Sequence, residues 1–371
     1  MSPFAHITGW GMTIPERVLT NHEISKMVDT TDEWIRERTG IRERRIASED
    51  QTTASLAVEA ALKALRVANL SPSELNLIIV STSSPEHIFP ATASLVQDAI
   101  GATHAGAFDL LAACTGFIYA LDLAAQSIRS GSINNALVIG SETLSRFTNW
   151  NDRTTCILFG DGAGAFVLQS SEEPGGILSA VLRSDGSGGD LLSLPAGGSR
   201  HPASLDTIHK GMHFIHMNGR EVYRFATRVM AQATREATEK AGLKIEDLAL
   251  IIPHQANRRI IEAAARSLEI PLERCVINID RYGNTSTASI PIATIEAVES
   301  GCLKRGDRVV FVGFGGGLTW GAVTVQWSGP ILPKRKVYPK SYQIWVQIRS
   351  HVRRLIRTIE GIIWGSNFPE G

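Results

Sequence analysis

Ala64-Leu-Arg-Val-Ala-Asn-Leu-Ser-Pro-Ser-Glu-Leu-Asn-Leu-Ile-Ile79 decides the fold, because it returns as Ala237-Thr-Glu-Lys-Ala-Gly-Leu-Lys-Ile-Glu-Asp-Leu-Ala-Leu-Ile-Ile252. Ala64/Ala237, Ala68/Ala241, Leu70/Leu243, Leu75/Leu248, Leu77/Leu250, Ile78/Ile251 and Ile79/Ile252 share one offset of 173 without a gap. Each copy reads as helix, short turn and buried strand. Upstream of the first copy, Leu56, Ala57, Ala60, Ala61, Leu62, Leu65 and Val67 recur at near-helical spacing. Downstream, the runs Ala136–Ile139 and Val309–Val312 read as further buried strands, like Leu77–Val80. Helices between buried strands mean a layered α/β fold. Each half also ends in a Gly-rich turn, Gly160-Asp-Gly-Ala-Gly164 and Gly313-Phe-Gly-Gly-Gly317. The chain therefore reads as two similar α/β halves joined near Ser170–Gly176, followed by an unrelated tail.

Composition supports this. At 371 residues, 43% hydrophobic and 20% charged, the chain has ordinary soluble composition, with length for two domains. Disordered and collagen-like classes are excluded. No apolar run reaches the roughly 18 residues of a spanning helix. The opening MSPFAHITGWG lacks a basic stretch followed by an apolar one, so no secretory leader is expected and the cytoplasm is the expected location. Cys114, Cys156, Cys275 and Cys302 lie far apart, with no C-x-x-C pair. That signals neither a zinc ribbon nor a thioredoxin-type site and leaves a thiol nucleophile open. The net charge of zero hides an asymmetry: from Ile331 onward there are eight Lys/Arg against two Asp/Glu. The body is correspondingly acidic and lacks the positive excess that phosphate contacts need, so it is no general nucleic-acid binder.

Three residues carry candidate chemistry. Cys114 follows a strand-like run and precedes a helical pattern starting at Gly116, which puts it at a strand-to-helix turn. Free backbone N–H groups and the positive helix end are expected to lower its pKa and favour the thiolate. The alternative is a small buried hydrophobe, the commoner fate of a cysteine. His254 lies just beyond the second copy of the repeated strand, where α/β sheets place sites, with Gln255 and Asn257 beside it. Asn284 sits in Tyr282-Gly-Asn-Thr-Ser-Thr-Ala-Ser289, a stretch that reads as the cap of a helix from Ile290 to Val298. Adding 173 to Cys114 gives Thr287, so the two turns are pseudo-equivalent and a two-fold-like arrangement brings them together. The Gly-rich turns run into strands, not helices, which fails the dinucleotide test. They can still bring backbone N–H groups close to a ligand as oxyanion donors. His209, His213 and His216 are spaced like helical metal ligands, but no cysteine or nearby carboxylate completes a set, and no metal is expected there.

With these residues placed, the chain resembles the β-ketoacyl-acyl carrier protein synthase III family of the thiolase superfamily over about residues 5–327. The motifs are Thr31-Asp-Glu-Trp-Ile-Arg-Glu-Arg-Thr-Gly-Ile-Arg-Glu-Arg44, Ala112-Ala-Cys-Thr-Gly116, Phe159-Gly-Asp-Gly-Ala-Gly164, His254-Gln-Ala-Asn257, Gly283-Asn-Thr-Ser286 and Gly313-Phe-Gly-Gly-Gly-Leu-Thr-Trp-Gly321. The resemblance implies a five-layered αβαβα fold of two duplicated halves, 1–172 with the nucleophilic cysteine and 173–328 with His and Asn, in a homodimer. It also implies a reaction that initiates fatty acid synthesis. An acyl group passes from acyl-CoA to Cys114; malonyl-acyl carrier protein then loses CO₂, and its carbanion attacks the thioester to give a 3-oxoacyl product. Cys114, His254 and Asn284 match the catalytic triad, and the backbone N–H groups of Cys114 and Gly316 match the oxyanion donors. Trp34 and Arg153 match an adenine sandwich, Thr30 and Arg38 match further CoA contacts, and Asn257 lies along the pantetheine arm. Arg259 matches a contact for the acidic carrier protein, and Phe89 a residue that enters the partner's acyl pocket. No metal or redox cofactor is implied.

Relatives are separated by single features. Thiolases need a second cysteine where this chain has Gly315-Gly-Gly317, and elongating ketosynthases carry a histidine in place of Asn284. Plant-type polyketide synthases share Cys-His-Asn but usually carry a proline in the last Gly-rich loop, absent here. A Cys-His-Asn condensing enzyme that starts or joins a specialised, polyketide-like chain is the alternative. The intact triad argues against a non-catalytic binding partner.

The family pattern does not cover residues 329–371. Pro330, Pro333 and Pro339 with Lys334, Arg335 and Lys336 read as a linker. From Tyr342 to Trp364, Trp345, Ile348, Val352, Leu355, Ile356, Ile359, Ile362 and Ile363 recur at three and four residues, with Arg349, Arg353, Arg354 and Arg357 largely between them. This predicts a basic amphipathic helix, lying either on an anionic membrane surface or against its own acidic dimer.

Overall fold

Two sheets organise the chain. The computed structural model describes residues 3–329 and, in the tail, 348–350, 352, 355, 356, 358 and 359. Strands β1 (Phe4–Thr13), β2 (Leu77–Ser81), β3 (Gly106–Leu110), β4 (Asn135–Glu142) and β5 (Gly162–Ser171) form the first sheet, in the order β1-β5-β4-β2-β3. Strands β6 (Gly176–Ser184), β7 (Leu250–Pro253), β8 (Arg308–Gly315) and β9 (Thr319–Gln326) form the second, in the order β7-β8-β9-β6. β2 runs parallel to β3 and β4, and β7 parallel to β8, which requires helical crossovers.

The helices of eight residues or more among the described residues are α1 (Asp32–Thr39), α2 (Thr53–Ala68), α3 (Thr92–Ile100), α4 (Gly116–Arg129), α5 (Gly219–Lys240), α6 (Arg258–Leu268) and α7 (Ser289–Glu299). Apolar alternation along the central strands assigns the layers. Leu137 and Ile139 of β4 pack with Leu56, Ala60, Ala93 and Val96 of α2 and α3, while Val138 faces the other way, toward Phe117 and Leu121 of α4. In β8, Val309 and Phe311 join that same middle core with Ile290 of α7, whereas Val310 and Val312 pack with Phe225 and Val229 of α5 and Ile261 of α6. Both faces of each central strand are buried, so these strands read as continuous apolar runs. The sequence of layers is α2/α3, first sheet, α4/α7, second sheet, α5/α6, the expected five-layered αβαβα arrangement.

The offset of 173 survives in the architecture. β2 starts at Leu77 and β7 at Leu250, β4 at Asn135 and β8 at Arg308, α4 at Gly116 and α7 at Ser289. The halves meet closely because glycine stands at the contact. A Cβ on Gly140 of β4 would lie 2.6 Å from the carbonyl oxygen of Thr287, and one on Gly164 of β5 would lie 2.7 Å from Cβ of Pro291.

In the tail, Ile348, Val352, Leu355, Ile356 and Ile359 are helical and exposed, and Ser350 donates to Asp98 of α3 at 2.7 Å. The expected linker at Pro330–Pro339, the aromatic ends Trp345 and Trp364, Ile362, Ile363 and the arginines 353, 354 and 357 lie outside the described residues. Among the described residues no helix is long and apolar enough to cross a membrane.

Candidate active site

Cys114 occupies a 3₁₀ turn, Ala113–Thr115, between β3 and α4. Ala113 takes a left-handed backbone conformation with φ of +46°. The second half closes over this turn: a Cβ on Gly315 would lie 2.7 Å from the Cys114 nitrogen, so only glycine lets that loop approach the N–H groups. Thr319 Oγ1 ties the two together by donating to Thr115 Oγ1 at 3.0 Å and Ala112 O at 3.2 Å.

The thiol does not behave as its turn position predicts. Burial pushes Cys114 up to about 12, a carboxylate at Glu142 adds to that, and a hydrogen bond with the Ser286 side chain partly offsets it. The helix-end argument treated the site as solvated; the side chain is 8% exposed, and desolvation disfavours the thiolate. The resting sulfur therefore holds its proton.

His254 follows β7 with its main-chain N–H donating to Val312 O at 2.8 Å. Its Nδ1 pairs with Ser289 Oγ at 2.7 Å, and the same oxygen accepts from the Gln255 N–H at 3.3 Å. Ser289 keeps its own hydrogen to donate to Nδ1, which suits the tautomer with the proton on Nε2. Nε2 is buried with no partner among the described residues. Burial lowers the imidazole to about 3, so it is a neutral donor and no general base near neutrality.

Asn284 is held by both halves. Its N–H donates to Leu158 O at 2.9 Å, and its O accepts from the Gly160 N–H at 3.1 Å. Its Oδ1 accepts from the Ser286 N–H at 2.8 Å, leaving the amide NH₂ to donate elsewhere. The expected helix cap is corrected: the Asn284 side chain accepts from the first N–H of the 3₁₀ turn Ser286–Ala288, whose N-cap is Thr285, and among the described residues α7 has no side-chain cap. Ser286 is left-handed, with φ of +49°, and 1% exposed. The Ser286 N–H thus holds Asn284, Ser289 holds His254 three residues on, and the Cys114 turn packs against this same stretch. One turn gathers all three candidates.

A second cluster lies where α1 meets α6. The Arg153 guanidinium carbon stands 4.8 Å from the Trp34 ring centroid and that of Arg38 stands 5.8 Å away. Asn257 Nδ2 donates to Arg38 O at 2.9 Å, and its Oδ1 accepts from the Arg259 N–H at 2.9 Å. The Arg259 guanidinium lies 5.4 Å from the Tyr223 ring centroid. Arg36, Arg42, Arg258 and Arg259 line a cavity of about 600 Å³. Thr30 Oγ1 is buried without a partner among the described residues. Phe89 stands apart, 84% exposed beside Ile88.

The three histidines do not share a helix. The helix Leu205–His209 stops at His209, His213 Nε2 pairs with Thr207 Oγ1 at 2.9 Å, and His216 Nε2 lies 3.2 Å from Gly211 O. Among the described residues no group of three His, Cys, Asp or Glu is placed to hold a metal. Sequence reading passed over Ser286, Ser289 and Glu142. The signal for Glu142 was there, as an acid ending the otherwise apolar strand from Ala136.

Residues 108–186 match the protein-family model described as 3-oxoacyl-[acyl-carrier-protein (ACP)] synthase III, and residues 238–327 its C-terminal counterpart. The chain is 52% identical over 328 residues to the β-ketoacyl-[acyl-carrier-protein] synthase III of Roseiflexus castenholzii, covering 88% of this chain and 99% of the relative. It is 55% identical over 322 residues to the Symbiobacterium thermophilum protein of that name, covering 87% and 98%. The solved 3-oxoacyl-[acyl-carrier-protein] synthase III of Aquifex aeolicus superimposes with a TM-score of 0.81 at 50% identity, covering 87% of this chain and 100% of that one.

Proposed function

Because the chain belongs to the β-ketoacyl-[acyl-carrier-protein] synthase III family, we propose that it works through Cys114, His254 and Asn284, with acyl-CoA and malonyl-acyl carrier protein as its substrates. It is a condensing acyltransferase of the thiolase fold that initiates fatty acid synthesis. The carrying observation is that the Cys114 turn packs against the turn Ser286–Ala288, whose first N–H holds the Asn284 side chain and whose neighbour Ser289 holds His254.

Cys114 takes the acyl group, because sulfur is both a good nucleophile and a good leaving group. The N–H groups of Cys114 and Gly316 stabilise the oxyanion of that step. The half up to residue 172 supplies the thiol and the half from 173 to 328 the donors for decarboxylation. Nε2 of His254 and the amide of Asn284 donate to the malonyl thioester oxygen as enolate charge develops. No metal or redox group takes part, since the departing CO₂ supplies the electron pair. Trp34 with Arg38 and Arg153 near its ring offers an aromatic, cationic surface suited to an adenine and its phosphates. Thr30 and Asn257 extend that groove inward, and Arg259 meets the acidic carrier protein. Phe89, exposed in the single chain, enters the acyl pocket of a second copy in a homodimer.

The protein works in the cytoplasm, with its tail on an anionic lipid surface. Ile348, Val352, Leu355, Ile356 and Ile359 are 44–59% exposed, a stripe costly to leave in water, and the tail's eight basic residues complement anionic headgroups. Intact-mass spectrometry after exposure to a panel of acyl-CoAs tests the central reading: a rapid acyl adduct forms on Cys114 and is absent from Cys114→Ala. A Cys114→Ala variant that still acylates overturns it.

A further inference from the structure

Arg44 is completely buried, in the short antiparallel ribbon of Arg17–Thr20 with Glu43–Ile46. No ion pair among the described residues includes it. Burial lowers its guanidinium to about 10, so it is still a cation at neutral pH. A buried cation with no carboxylate on it is costly, and an apolar side chain of the same volume would fill the place without that cost. What the guanidinium adds is direction, because its planar fork fixes where its acceptors stand. Nη1 donates to Leu19 O at 3.1 Å and to Asn21 Oδ1 at 2.8 Å, and Nη2 donates to Ile157 O at 2.7 Å. Asn21 in turn donates to Asp32 Oδ1 and Ile41 O, both at 2.8 Å, which anchors the guanidinium to the first turn of α1. The bond to Ile157 leads to the active site. The next residues along, Leu158 and Gly160, hold the Asn284 main chain by its N–H and its carbonyl, in a parallel bridge of Phe159 with Asn284. The Arg44 stem packs on that same bridge: a Cβ on Gly160 or on Gly283 would lie 3.1 Å from the Arg44 Cβ.

We propose that Arg44 is a positioning residue for Asn284: it clamps the main chain at Ile157 and, through Leu158 and Gly160, holds the Asn284 amide where the malonyl thioester oxygen meets it. This rests on the reading of Asn284 as a donor in decarboxylation. Arg44 touches no substrate and acts only through the main chain. Two anchors set the direction of the Asn284 side chain. One is the Ser286 N–H on its Oδ1 at 2.8 Å; the other is the pairing with Leu158 and Gly160, which Arg44 governs. The other two candidates are held differently. The Cys114 turn is tied by Thr319 to Thr115 and Ala112, and His254 is held by Ser289 and by Val312 O. Among the described residues none of those bonds runs through Arg44. Its role therefore belongs to condensation and leaves acylation of the thiol alone. A misplacement of about 1 Å is enough to cost about 10²-fold in rate.

The test is a double-mutant cycle on condensation, with acylation of Cys114 from saturating acyl-CoA followed by mass spectrometry in the same variants. Arg44→Met removes the donors and keeps most of the volume. It is expected to lower kcat for condensation about tenfold or more, with KM for malonyl-acyl carrier protein and acylation unchanged. In an Asn284→Ala background the same substitution should cost nothing further, because no amide is left to position. Arg44→Lys, which keeps the charge but not the fork, should fall between Arg44→Met and the intact protein. A loss that adds in full to that of Asn284→Ala overturns the proposal, and so does an equal loss of acylation and condensation, which marks a structural role. An Asn284→Ala variant with full condensation overturns the reading of Asn284 and the proposal with it. If Arg44→Met fails to fold, Arg44→Lys goes through the same cycle and decides by the same criteria.

Discussion

Ala113 and Ser286, 173 positions apart, hold the same left-handed backbone conformation, and each opens a 3₁₀ turn in front of a middle-layer helix. The duplication therefore reaches the detail of a single φ angle, with the Cys114 turn and the turn after Asn284 as its two copies. A β-branched side chain is strained in that conformation. A Cβ at Gly315 would already lie 3.3 Å from the Ala113 Cβ. Ala113→Val should lower unfolding free energy by about 1–3 kcal/mol and reduce condensation, whereas Ala113→Gly should leave both near wild type. Denaturant titrations of the two variants check this.

Cys114→Ala should abolish acylation. His254→Ala and Asn284→Ala should retain it but lose decarboxylative condensation by about 10²-fold or more, the usual cost of one oxyanion donor. Single-turnover mass spectrometry beside product assay separates the half-reactions. An Asn284→Ala variant with full condensation would remove Asn284 from the mechanism.

Acid should destabilise the protein partly through His254. The imidazole is lowered from 6.5 to about 3 in the fold, so between those values the unfolded chain binds a proton that the folded chain refuses. Stability then falls as pH drops through that window. Glu142 works in the opposite sense: its carboxyl is raised from 4.5 to about 7, and its contribution is lost as pH rises through that range. Urea midpoints at pH 7.5 and pH 4 should fall further for the wild type than for His254→Gln. Equal falls would mean that the imidazole does not set the acid limb.

Arg259→Glu should raise KM for malonyl-acyl carrier protein more than it slows acylation from acyl-CoA, because a rim charge acts mainly on partner encounter. The guanidinium lines the cavity beside α1 and rests on Tyr223. Equal losses in the two half-reactions would place Arg259 elsewhere in the mechanism.

The full chain should sediment with anionic liposomes at low salt, and a version ending at Ser328 should not, while both keep condensing activity. Full-length protein that stays in the supernatant would favour docking of the tail on its own dimer, a contact toward which the Ser350–Asp98 hydrogen bond points.

The layers were legible because burial on both faces leaves an unbroken apolar run, and Ala136–Ile139 can hardly be anything else. The offset in one helix–strand unit makes the turns of Cys114 and Thr287 equivalent from sequence alone. What the sequence hid depends on the third dimension. A thiol's pKa follows from how much water reaches it, and no local pattern reports that Gly315 closes over Cys114. Ser289 holds His254 from 35 positions away, a pairing that the neighbours of neither residue announce. Glu142 belongs to no motif at all.

Gly140 and Gly315 set the spacing of the candidate groups by backbone resting on backbone. The width of the site is thereby fixed by bond lengths and van der Waals radii of the main chain, which no side-chain substitution alters. Residues lining the acyl pocket can then be exchanged for larger or smaller ones as in a tool with interchangeable jaws, changing which starter fits while the cutting edge stays where it is. Selection for a new starter, natural or in the laboratory, has a free hand in the lining and almost none at these two glycines.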